Sequence, residues 1–246
     1  MLDFAASMRI AAIVPAYNEA RNLPRLAEAL RDRGPACEVC VVDDGSSDAT
    51  ASVAASLGWS VLRLPMNLGI GGAVQAGYLW AWEHGHDVAV QIDGDGQHDP
   101  AFLDALLAPI REGRADVVIG SRFLSDGGYR STRLRRAGIS YLSWFLRLRC
   151  GARVTDPTSG FRAANREAIE LFARYYPSDY PEPEAVALAR RAGLRLAEVP
   201  VRMNERAHGA SSITALWTLY YLVKVSIALV LLPSRSEPLA GGGTAT

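Results

Sequence analysis

Short apolar runs alternate with longer stretches of helical period along most of the chain. Residues 9–15 (RIAAIVP) lead into a helical pattern over 20–33, residues 38–42 into one over 47–58, and residues 61–64 into one over 70–85. A fourth run, 88–92, ends just before Asp93, and runs at 117–120 and 197–201 predict a fifth and a sixth strand. Strands alternating with helices at this spacing predict an α/β fold whose largely parallel sheet is covered on both faces. No internal repeat or low-complexity linker breaks the pattern, so residues 1–212 read as one domain.

In open α/β sheets ligands sit beyond the carboxyl ends of the strands, and here those ends carry the chemistry. Tyr17, Asn18 and Glu19 follow the first strand, Asp43 and Asp44 close the second, and Asp93 and Asp95 follow the fourth. So many carboxylates on one rim repel one another unless a cation and a ligand with donors lie between them.

Composition narrows the classes. Lysine plus arginine number 26 against 26 acidic residues, so no bulk positive field favours nucleic acid. Three cysteines make no disulfide framework and fit a reducing compartment. Cys37 and Cys40 have the spacing of half a zinc site, but no second pair follows and the run around them is apolar, which favours buried thiols. No basic stretch followed by a long apolar one opens the chain, so no secretory signal is expected.

The other end is different. Residues 213–232 carry a single charge, Lys224, ahead of Pro233. About twenty apolar residues can cross a bilayer, yet a lysine at mid-span costs about 2.5–3.5 kcal/mol. Trp217, Tyr220 and Tyr221 suit an interfacial position. The expectation is a membrane-associated helix over 213–233, with Lys224 snorkelling to headgroups; packing on the domain or on a second subunit is the alternative. Residues 234–246, which end in GGGTAT, read as a disordered tail.

The block QIDGDGQHDP at 91–100 is the most chemically pointed. A strand delivers Asp93, and Gly94 and Gly96 let the chain turn so that Asp95 and Gln97 face the same point. Hard oxygen ligands with room for phosphate oxygens suit Mg²⁺ or Mn²⁺. Taken alone, such a block is also an ordinary turn before a helix capped by Asp99 and Pro100.

It does not stand alone. VPAYNE at 14–19, VDDGSSD at 42–48, NLGIG at 67–71, the Asp93 block, GSRF at 120–123, DPTSGFR at 156–162, EVPV at 198–201 and RAHGAS at 206–211 follow in order. This series resembles the family 2 glycosyltransferases, and among them the branch acting on dolichol and polyprenyl phosphates. The resemblance implies a GT-A fold: a single Rossmann-like nucleotide-binding domain with a mixed, mostly parallel sheet. It implies that Pro15, Tyr17 and Glu19 line the base and ribose pocket, and that Val42 and Asp44 hold the base. Asp93, Asp95 and Gln97, with Gly94 between them, would bind the metal and diphosphate. Arg122 would contact donor phosphate or sugar, and Arg206 would reach the diphosphate from the C-terminal loop.

Arg130, Arg133, Arg135 and Arg136 form the densest basic cluster. As a plain charge run it is a solvated helix face; in the family pattern Arg136 and Ser140 lie near the acceptor phosphate, where basic residues at a membrane surface gain about 1 kcal/mol each. Two departures stand out. Ser212 occupies a position where the mannose enzymes of this branch carry lysine. Pro181 and Pro183 are expected to force an extended approach that leaves Glu184 at a helix start, as a cap or as a ligand for sugar or acceptor.

The reaction expected is inverting transfer of a sugar from a nucleotide-diphosphate donor to a polyprenyl or dolichyl phosphate, in envelope glycan or glycoconjugate synthesis. For a hydroxyl acceptor on a growing polysaccharide a general base would be needed, and Asp156 and Glu184 are the candidates. A non-catalytic nucleotide-sugar-binding subunit is the reading from outside enzymology. The expected location is cytoplasmic and peripheral on the membrane's cytoplasmic face, with a second copy or a membrane protein as further partner classes.

Overall fold

A computed structural model describes residues 8–124, 132–204 and 215–231. Seven strands form one sheet in the order β3-β2-β1-β4-β6-β5-β7: β1 (Ile10–Ala16), β2 (Glu38–Asp43), β3 (Ser60–Arg63), β4 (Val88–Gln91), β5 (Val117–Ser121), β6 (Arg162–Asn165) and β7 (Leu196–Pro200). Strand β6 runs antiparallel to both its neighbours, β4 and β5, while the other pairs are parallel. The mixed, mostly parallel sheet of the expected fold class is therefore present.

Alternation along β1 divides the core. Ala12 and Val14 pack with Leu23, Leu26 and Leu30 of α1 (Leu23–Arg33) and with the apolar face of α4 (Leu103–Arg111). Ala11 and Ile13 face the opposite layer, where Val74 and Tyr78 of α3 (Gly69–Glu83) meet Ile169 and Phe172 of α6 (Arg166–Tyr175). The short α2 (Thr50–Ser56) covers the β3 edge. Period-two alternation feeding both layers is what a sheet covered on both faces requires.

A third apolar cluster holds the last helices. Leu142 and Leu146 of α5 (Arg133–Cys150), Val186 of α7 (Pro181–Arg191), and Val225 and Leu229 of α8 (Ala215–Leu231) are all buried together. The Thr132 hydroxyl caps α5 by accepting from the Arg135 N–H, and Gly151 ends it in the left-handed conformation. Helix α8 thus packs one face on the domain, the alternative weighed from the sequence. Lys224 Nζ lies 2.6 Å from Asp179 Oδ2 and over the Tyr180 ring, with the side chain partly exposed. Among the described residues no helix is long and apolar enough to cross a membrane.

The cysteines are free. Burial raises Cys37 to about 11 and Cys40 to about 12, which keeps both as protonated thiols, Cys40 within the core and Cys37 partly buried against it.

Candidate active site

The loops after β1 and β2 are stitched by Asn18. Its backbone is left-handed, φ 58°, and its side-chain oxygen accepts from the main-chain N–H groups of Ser47 and Asp48. Asp44, next in line, is buried, and its two oxygens accept from Leu68 N at 2.7 Å and Gly69 N at 2.9 Å, fixing the start of α3. Between these loops and α3 opens a cavity of about 270 Å³. Pro15, Tyr17, Glu19, Asp44, Asp93, Gly94 and Asp95 all line it. Tyr17 is half exposed at its rim. Val42 is placed elsewhere, in the core beneath α3 and opposite Pro15 in the sheet. Asn67, Gly69, Ile70 and Ala73 also line the cavity, although the sequence reading assigned them no role.

The turn after β4 carries the metal candidates. Asp95 Oδ1 accepts from Gln97 N at 3.0 Å, and Gly96 takes φ 76°, which folds the turn back so that Asp93 and Asp95 share one cavity wall. Among the described residues no three acids, histidines or cysteines gather into a closed cage. The Asp93 and Asp95 carboxylates, both lining the cavity, are instead an open pair of hard oxygen donors. This fits a Mg²⁺ or Mn²⁺ ion that completes its shell with phosphate oxygens and water.

Arg122 and Asp156 are both buried and bonded to each other through Nε and Nη2, and Arg122 Nη2 also reaches Thr158 Oγ1 at 2.8 Å. Glu198 holds this loop from behind by accepting from the main-chain N–H groups of Thr155 and Asp156. Asp156, a candidate base for a hydroxyl acceptor, thus has both carboxylate oxygens bonded to Arg122.

The first turn of α7 differs from expectation. Pro181 and Pro183 do not hold the chain extended; the helix begins at Pro181, because first-turn N–H groups have no intrahelical partner and proline costs nothing there. Both acids are partly buried: Glu184 feels the charges of Asp179 and Lys224, and Glu182 those of Arg162, Asp93 and Arg122. Burial raises the Glu182 carboxyl above its ordinary range, against the opposing pull of Arg162. Arg162 is itself almost wholly buried, donating through Nε to Ser159 O and through Nη2 to Pro157 O. Neither Glu182 nor Arg162 was singled out from sequence.

Arg136 and Ser140, expected near an acceptor phosphate, are one turn apart on the exposed face of α5. Ser143, within the same helix, donates to Thr155 O at 3.4 Å, so this face begins beside the Arg122–Asp156 loop. Arg206 and Arg130 lie outside the described residues.

Residues 11–172 match the family described as Glycosyl transferase family 2. The chain is 37% identical over 216 residues to an undecaprenyl-phosphate mannosyltransferase of Micrococcus luteus, covering 84% of this chain and 88% of that one. It is 33% identical over 218 residues to a polyprenol monophosphomannose synthase of Mycolicibacterium smegmatis, covering 85% and 82%. Among solved structures it is similar to glucosyl-3-phosphoglycerate synthase of Mycobacterium tuberculosis in complex with Mn²⁺ and UDP-glucose. That match has TM-score 0.65 and 25% identity, over 92% of this chain and 79% of that one.

Proposed function

The chain belongs to glycosyltransferase family 2, and on that premise we propose that it moves a sugar from a nucleotide-diphosphate donor to a polyprenyl phosphate. The observation that carries the reading is the Asp93–Gly94–Asp95 turn opening on the same cavity as Tyr17, Glu19 and Asp44. The same lining offers oxygen donors for a cation beside a diphosphate, and a ring and a carboxylate for a nucleoside. The polyprenyl phosphate enzymes it is similar to supply the acceptor class.

Asp93, Asp95 and Gln97 would hold the divalent ion. Bound there, the ion supplies Lewis-acid neutralisation of the departing diphosphate. The chain's own residues orient the rest. Tyr17 covers the base at the rim, Pro15 and Glu19 shape the ribose side, and Asp44 accepts from the base with lone pairs left over from its bonds to the start of α3. Arg122, held by Asp156, would contact donor phosphate or sugar, and Arg206 is proposed to close on the diphosphate.

The acceptor argument turns on where the acids point. A phosphate oxygen is already anionic near neutral pH and attacks without a base, whereas a hydroxyl needs one within hydrogen-bond reach. Asp156 is tied to Arg122 through both carboxylate oxygens, so that base candidate is occupied. This supports a phosphate acceptor over a saccharide hydroxyl. Arg136 and Ser140 would meet that phosphate, with the exposed apolar faces of α5 and α8 resting on the lipid surface.

The test is product analysis after incubation with a panel of nucleotide sugars, polyprenyl phosphate and Mg²⁺ or Mn²⁺. Transfer to the lipid phosphate, lost in chelator and lowered at least about a hundredfold in Asp95→Asn, is the expected result. Transfer to saccharide hydroxyls alone, or full activity in chelator, would refute it.

A further inference from the structure

Asp93 is gripped from two sides by buried side chains that the mechanism above leaves without a task. Its main-chain N–H donates to His98 Nδ1 at 3.0 Å. Nδ1 is therefore an acceptor, which places the neutral ring's proton on Nε2, and Nε2 lies 3.6 Å from Asp93 Oδ2. The other carboxylate oxygen, Oδ1, is 3.4 Å from Gln91 Nε2. Each oxygen of the carboxylate thus faces one N–H from a side chain that is almost fully buried.

Both partners are themselves fixed. The His98 ring lies flat on Phe161, with centroids 4.7 Å apart and planes 11° from parallel. Its main chain forms an antiparallel bridge with Met203, and the adjacent Gln97 O accepts from Asn204 N at 2.9 Å. Gln91 is wedged by Gly160, where a Cβ would come within 3.0 Å of its amide nitrogen and 3.5 Å of Asp93 Oδ1. A histidine wanted for packing alone has no need to turn Nδ1 to one main-chain N–H and Nε2 to the side chain of the same residue.

We propose that His98 is a positioning residue for Asp93: it fixes the direction of the carboxylate, so that a divalent cation meets a ligand already aimed at the cavity. The inference rests on the cation reading given under Proposed function. Carboxylates that bind metals are held by outer partners of this kind, and removing one such partner lowers metal affinity about 10–100-fold.

The experiment measures Mn²⁺ binding to the full chain by electron paramagnetic resonance, alone and with UDP or GDP, together with the thermal midpoint in chelator. His98→Phe keeps the stack on Phe161 and removes both polar contacts. The expected result is Mn²⁺ affinity down about 10–100-fold, with the midpoint in chelator little changed. His98→Gln, which returns an N–H towards Oδ2, should recover part of the loss. Mn²⁺ affinity in His98→Phe equal to wild type would overturn the proposal. If His98→Phe does not fold, His98→Gln and His98→Asn decide: Mn²⁺ binding equal to wild type in both overturns it, and weaker binding in the asparagine variant upholds it. Wild-type protein that binds no Mn²⁺ under any of these conditions would refute the cation reading itself, and this inference with it.

Discussion

Arg122 grips Asp156 in a two-point ion pair, Nε to Oδ2 at 2.6 Å and Nη2 to Oδ1 at 2.7 Å, with the carboxylate wholly out of solvent. Taking one partner from such a pair leaves the other charge buried without compensation, a loss of about 3–5 kcal/mol. Asp156→Asn is therefore expected to lower stability by that order, measured by urea denaturation, and to lower turnover with it. A general base would behave differently: the fold would hold while one limb of the pH–rate profile vanished.

Close approach of backbone to backbone sets the next expectation. A Cβ at Gly71 would fall 2.3 Å from Ser178 O and 2.4 Å from Pro177 O, so only glycine lets the first turn of α3 lie against that loop. Gly71→Ala should cost about 1–3 kcal/mol by overpacking. It should also shift Gly69 and Ile70, which line the cavity. Donor KM is expected to rise more than acceptor KM, checked by steady-state kinetics with each substrate varied.

How far the sequence could be read follows from burial. Strands such as β1 and β2, covered on both faces, betray themselves as apolar runs. Strand β6 does not: Arg162–Asn165 reads RAAN, and its place between β4 and β5 depends on small alanines and on an arginine satisfied by main-chain carbonyls. The cavity loops were legible because Asp44 and Asp93 stand at strand ends. Ile70 and Ala73 were not, since lining a pocket asks nothing unusual of an apolar residue on a helix. Glu182 was passed over for Glu184 because the prolines were read as holding off the helix. With both prolines inside its first turn, the acid under the charges of Arg162 and Asp93 is the one two residues earlier.

Asp116 joins the starts of β5 and β7 to the end of β6. It accepts from Arg195 N, Nε and Nη2 and from Asn165 Nδ2. The Arg195 guanidinium, ahead of the opposing effect of burial, holds this carboxyl below its ordinary range. A depressed pKa in the folded state means that the stabilisation is complete above the unfolded value of about 3.9. It is lost as pH falls through the folded value. Asp116→Asn should therefore melt below wild type at neutral pH, with the gap narrowing once the pH drops under about 4. A gap that stayed constant across thermal midpoints from pH 3 to 7 would assign the effect to the neutral bonds alone.

The last expectation concerns the face that α5 and α8 present together. Tyr141 Oη and Ser226 Oγ are 3.0 Å apart, clipping the two helices side by side. Outward from that clip Trp144 and Leu148 are 58% and 65% exposed on α5, and Val223, Ile227 and Val230 are exposed on α8. A contiguous apolar face of this kind marks a binding surface more often than chance exposure. Arg136 and Arg147 lie exposed along α5, adding positive charge suited to anionic headgroups, with Ser140 exposed between them. Because Val225 and Leu229 already fill the inner side of α8, the outer residues can be changed without opening the core. Trp144→Ser combined with Ile227→Ser should leave the thermal midpoint and the use of a short, water-soluble acceptor near wild type. The same variant should no longer pellet with anionic vesicles and should use a long-chain polyprenyl phosphate poorly. Arg136→Ala should raise acceptor KM well above its effect on donor KM, since it removes a charge-assisted contact to phosphate. Vesicle binding that persists in the double variant, with a loss of dimer on gel filtration, would assign the face to a second copy of the chain instead of to lipid.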